Sequence, residues 1–209
     1  MKKIIFILLL ISSAQFSFCQ SGFDKAVKLY YRVNPFDRRF STVLKDVLSD
    51  TSFVTIEMKK RTDSTFFFLS GYYKRFNPFD FIASETQLRM AETEIVYNDS
   101  LHTIDTIIIY QILGLTERGA EGLAKAQKEL TRFHKRFSRD FSRSEYKQGE
   151  RDGVITAAIY NYFFYGLQVA PLSIAWGKMP DDDRYTFTIS LRLKIKENFA
   201  AIPKSPEEY

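Results

Sequence analysis

The sequence predicts an α+β fold: an antiparallel sheet of hairpins, packed by one long amphipathic helix over about 117–143 and a shorter N-terminal helix over about 35–48. Three observations carry this prediction. Leu123, Ala126, Leu130, Phe133, Phe137 and Phe141 recur at gaps of three and four, which makes one apolar stripe along a helix. Tyr185, Phe187, Ile189, Leu191, Leu193 and Ile195 alternate with polar residues, as on a sheet covered on one face. Turn-forming clusters at 62–64, 98–100 and 178–183 lie within or beside further β-rich runs and pair neighbouring strands as hairpins.

The N-terminus reads as an export signal. Lys2 and Lys3 precede an unbroken apolar run, Ile4 to Ile11, which is shorter than the roughly 20 residues of a spanning helix. Ser17 and Cys19 put small side chains three residues and one residue before Gln20, so cleavage falls between Cys19 and Gln20. Ser12 and Ala14 offer a second site, before Gln15. Residues 1–19 are thus expected to be a signal peptide and 20–209 a single exported domain, with a frayed tail over 200–209. A lipidated Cys19 is the alternative, but Phe18 stands where a lipoprotein signal carries a small residue.

A short echo marks the N-terminal half: Asn34-Pro35-Phe36-Asp37 and Asn77-Pro78-Phe79-Asp80. The tetrapeptide suits a helix start. Asn caps, Pro at the first position forfeits no needed N–H, and Asp faces the positive end of the dipole. After the first copy, Phe36, Phe40, Val43, Leu44, Val47 and Leu48 share a helical face, hence a helix over 35–48. After the second copy the helical pattern soon yields to a strand.

Strands are expected over 53–61 and 65–76, then over 86–97 and 103–114, where Ile104, Ile107, Ile108 and Ile109 supply β-branched character. The long helix follows, with Thr116 as its cap and a length of about 40 Å. Val154–Phe164 is apolar on both faces and reads as a central strand. Val169–Gly177, the turn at 178–183 and the alternating 185–195 strand complete the sheet.

Composition narrows the function. One Cys in 209 residues rules out an internal disulfide and a Cys-based zinc module, and two His leave little for a His-rich centre. The 16% aromatic fraction, with Phe 20 and Tyr 12, is read as core and cross-strand packing rather than a sugar platform, since Trp176 is the single Trp. Asp181, Asp182 and Asp183 are adjacent, whereas calcium loops space their ligands at alternate positions. Asp99, Ser100 and His102 lie close together, but no nucleophile elbow, metalloprotease helix, phosphate loop or dinucleotide fingerprint is present. His134, at the edge of the helix's apolar arc, is expected to be partly buried.

The charge is the more informative feature. Lys125, Lys128, Arg132, Lys135, Arg136, Arg139 and Arg143 form a basic stripe opposite the apolar one. Between Arg118 and Arg151 there are ten Lys and Arg against five Asp and Glu, a surplus equal to the formal +5 of the whole chain. The expectation is an exported, non-enzymatic bacterial envelope protein, periplasmic or secreted, that binds or scaffolds and takes no cofactor or metal. Its partner would be an anionic membrane surface, a glycan or an acidic envelope protein, not nucleic acid. Charge reversal of Arg132 and Arg139 is expected to spare the fold. The alternatives are an outer-membrane β-barrel or lipoprotein, and a sheet-plus-helix domain that holds a lipid or small ligand in a Tyr- and Phe-lined cavity.

Overall fold

A computed structural model describes residues 27–33, 35, 39–62, 65–98, 103–141, 143–151, 154–162, 171–179 and 181–194. The segment predicted as an export signal, the Asp99–His102 group and the tail beyond 194 lie outside these residues. The architecture is α+β as predicted: one eight-stranded antiparallel sheet, one long helix and one shorter helix.

In chain order, α1 (Phe40–Ser49) leads into β1 (Phe53–Lys59), β2 (Phe68–Tyr73), β3 (Thr86–Asn98) and β4 (Thr103–Arg118). Then α2 (Gly119–Phe137) and a 3-10 turn (Ser138–Asp140) lead into β5 (Arg143–Arg151), β6 (Val154–Tyr162), β7 (Leu172–Lys178) and β8 (Arg184–Lys194). The sheet order is β1-β2-β3-β4-β8-β7-β6-β5. Each helix is therefore followed by a four-stranded meander, and the two meanders meet through their last strands. The order reads the same from either edge, so the fold has the form of two like halves facing each other across the β4–β8 seam.

The Asn-Pro-Phe-Asp echo does not mark this symmetry. The first copy precedes α1, whereas the second lies in the β2–β3 connection. There Asn77 makes a turn instead of a helix: its Oδ1 accepts from the Phe79 amide at 3.2 Å and its Nδ2 donates to the Phe81 carbonyl at 2.7 Å. Pro35 likewise sits before α1 rather than at its first position, and Arg39 takes the N-cap without a side-chain bond. The predicted apolar face is nevertheless the packed one, with Phe40, Val43, Leu44 and Val47 buried.

The long helix is shorter than predicted. Strand β4 runs on to Arg118, and Gly119, at φ 71°, turns the chain into α2 in the left-handed region that glycine tolerates best. Thr116 is not the cap; it is buried in β4, where its hydroxyl accepts from the Tyr185 amide at 3.1 Å. At the other end β5 begins at Arg143, inside the range assigned to helix. Nineteen helical residues span about 28 Å.

Both helices pack on the same sheet face. Ala126, Leu130, Phe133 and Phe137 of α2 meet Ile112 of β4, Ile174 and Trp176 of β7, and Phe187 and Ile189 of β8 in one core. The aromatic residues interlock there, with Phe133 and Phe137 ring centroids at 4.7 Å and Tyr30 and Phe133 at 5.5 Å. Phe79 and Phe81 stack at 5.1 Å and 9°, and Phe187 meets Phe79 edge-on at 5.7 Å. Gly114 of β4 is the floor of this stack, since a Cβ there would lie 2.4 Å from the Phe79 ring. The strongly alternating strand, β8, is central, and Val154–Tyr162 lies one strand in from the edge.

Candidate functional site

The seven cations of the predicted stripe separate into two groups. Lys125 near the start of α2 is engaged by Glu117 and, at 3.0 Å, by Glu121. Its hydrogen bond holds the Glu117 carboxyl below the usual range. Arg143 belongs to β5 rather than the helix and lies 3.4 Å from Glu145.

Arg132 is the main departure from expectation. It is not a free surface cation but the centre of a partly buried network. Its guanidinium pairs with Glu129, whose side chain is 1% exposed, and Nε lies 2.9 Å from the Asp80 carboxylate. Nη2 also donates to the Tyr30 hydroxyl at 2.9 Å, and the Asp80 amide donates to Glu129 at 3.3 Å. The network ties α2 to the N-terminal segment and to the second Asn-Pro-Phe-Asp turn. A buried carboxylate without these donors would be costly, so the positive charge here compensates an internal acid.

Lys128, Lys135, Arg136 and Arg139 form the other group. All four are exposed, and none is ion-paired among the described residues. Arg136 lies over the Phe137 ring at 5.4 Å. From Gly122 to Arg139 the only acid is Glu129, and it is buried. The outer face of this half of α2 presents Gln127, Thr131 and His134 beside Lys128, Lys135 and Arg136, and Arg139 follows in the 3-10 turn. His134 is exposed on this face, not partly buried. Phe133 and Phe137 claim the core side of the turn, which leaves the imidazole outside.

The face of the sheet opposite the helices is mixed in character. Strand alternation puts Gln111, Ser190 and Ser173 in one row across β4, β8 and β7. Gln111 Nε2 donates to Ser190 Oγ at 3.1 Å, and Arg192 Nη1 donates to Ser173 Oγ at 3.0 Å. Ile107, Leu113 and Leu115 of β4 share that face and are buried between side chains of the flanking strands.

Other sequence candidates are absorbed by packing. The Asp181–Asp183 turn docks on α2: the Gly119 amide donates to the Asp183 carbonyl at 2.8 Å, and Asp182 pairs with Arg184 at 2.6 Å. Asp183 pairs with Lys178 at 3.0 Å. These carboxylates point to separate cations and do not converge. Among the described residues, no three His, Cys, Asp or Glu side chains are grouped as metal ligands. Sequence reasoning missed the buried acids Glu92 and Glu129. Glu92 takes the Phe67 amide at 2.9 Å and Arg61 at 2.7 Å. The available signal was Glu129 three residues before Arg132, within a stretch otherwise free of acids. No protein-family model matches the chain, and neither a curated protein nor a solved structure matches it.

Proposed function

We propose that the chain is an exported, non-enzymatic binding or scaffolding module of a bacterial envelope, which meets an anionic surface through the C-terminal half of α2 and the 3-10 turn after it. The carrying observation is the set Lys128, Lys135, Arg136 and Arg139, all exposed and none ion-paired among the described residues. Cations arranged so interact with anionic lipid at about 1 kcal/mol each. Export rests on the paired lysines, the short apolar run and the small residues before Gln20.

Two structural features favour a module over the alternatives. The sheet runs from β1 to β5 without a β1–β5 pairing among the described residues, and helices cover one of its faces. The ligand-binding alternative needs a cavity between α2 and the sheet, and ring pairs pack there, Phe133 with Phe137 and Phe79 with Phe187.

Co-sedimentation with phosphatidylglycerol vesicles tests the proposal. The triple variant Lys128→Glu, Lys135→Glu, Arg139→Glu should keep the fold and bind about 100-fold more weakly, with wild-type binding itself falling as salt rises. Wild-type affinity in the variant, or no wild-type binding at low salt, would remove α2 as the contact. Arg132 is unsuitable for this test, because its loss uncovers Glu129.

A further inference from the structure

The two edges of the sheet differ. β1 is interrupted by a bulge between Thr55 and Glu57, the usual device against edge-to-edge pairing. β5 is straight: all nine residues, Arg143 to Arg151, pair with β6 without a register shift. No described strand lies beyond it. Tyr146 is 59% exposed there and the Lys147 side chain 67%.

The side chains of this edge complement their own copy. Arg143, Glu145, Lys147 and Gly149 share one face of β5, and Ser144, Tyr146 and Gln148 the other. Place a second β5 antiparallel to the first with Tyr146 opposite Tyr146. Glu145 of each chain then faces Lys147 of the other, twice across the two-fold axis. Arg143 falls opposite Gly149, where nothing lies within 4 Å of the missing Cβ and the long side chain has room. The neighbouring symmetric registers put Lys147 opposite Lys147, or Glu145 opposite Glu145, and like charges directly opposite are destabilising.

We infer that β5 is a homodimerisation edge, which joins two eight-stranded sheets into one through a two-fold axis at Tyr146. The edge charges that repel an arbitrary strand favour this register over the two beside it. The axis stands perpendicular to the sheet, so both α2 helices lie on the same side of the dimer. A contact made through α2 would then be doubled, although the dimer itself does not depend on that contact.

The test uses the full chain carrying Cys19→Ser. Residues opposite each other across an antiparallel pair have Cα atoms about 4.5–5.5 Å apart, within disulfide range. Tyr146→Cys should therefore form an intermolecular disulfide in a glutathione buffer, while Gln148→Cys, facing Ser144, should form at least tenfold less. In sedimentation equilibrium the Cys19→Ser protein should be a dimer, Glu145→Lys a monomer, and Glu145→Lys with Lys147→Glu a dimer again. A monomer at every concentration, equal cross-linking at 146 and 148, or failure of the charge swap to restore the dimer would each overturn the inference.

Discussion

Arg132 and Tyr30, distant in sequence, meet at the edge of the core, with the guanidinium Nη2 2.9 Å from the phenol oxygen. The same guanidinium neutralises Glu129 and holds Asp80, so one side chain joins three segments that nothing in the sequence links. Its role is internal, and the effects of removing it follow from that.

Arg132→Met should cost about 3–5 kcal/mol, because it leaves the buried Glu129 carboxylate uncompensated. Arg139→Glu, on the exposed part of the same stripe, should change stability by no more than about 0.5 kcal/mol. Urea unfolding of both variants checks this. Equal losses would show that the stripe is not divided as described.

Gly114→Ala drives a methyl into the Phe79 ring, which is stacked on Phe81 and unable to withdraw freely. The expected loss is about 1–3 kcal/mol. Combined with Phe79→Leu, the two costs should fall short of their sum, because the obstacle has gone. Additive costs in a double-mutant cycle would locate the strain elsewhere.

Alkaline pH should unfold the protein through its buried tyrosines. Burial raises the phenols of Tyr30, Tyr31 and Tyr73 well above the ordinary range, helped by Glu129 at Tyr30 and Asp50 at Tyr73. Tyr31 illustrates the constraint, with its hydroxyl 2.9 Å from the Tyr110 carbonyl and 2.7 Å from that of Ile189, across the β4–β8 seam. An ionised phenol would face both oxygens without a proton to share. A group whose folded pKa is raised contributes its full stability below the unfolded value of about 10 and loses it as pH climbs beyond. Each such tyrosine should then cost about 1.4 kcal/mol per pH unit. Ultraviolet titration should show late-ionising tyrosines in the native protein, and the urea midpoint should drop above pH 10. A pH-independent midpoint there would refute the account.

The sequence by itself determined the fold class and most of the elements, because these depend on local periodicity. The stripe from Leu123 to Phe141 and the alternation from Tyr185 to Leu193 report which side of each element meets a core, whatever that core contains. Strand β5 escaped because Arg-Ser-Glu-Tyr-Lys-Gln-Gly-Glu-Arg has no apolar face to repeat; an edge strand beyond the helix needs none. Only the tertiary structure decided how the halves join at β4–β8, and that β5 ends up as the open edge. It also decided which of the seven cations are ion-paired among the described residues. Charge is counted along the chain, but pairing is a matter of distance. Glu129 and Asp80 converge on Arg132 only after the 77–81 turn has docked on α2, and what remains exposed is Lys128, Lys135, Arg136 and Arg139.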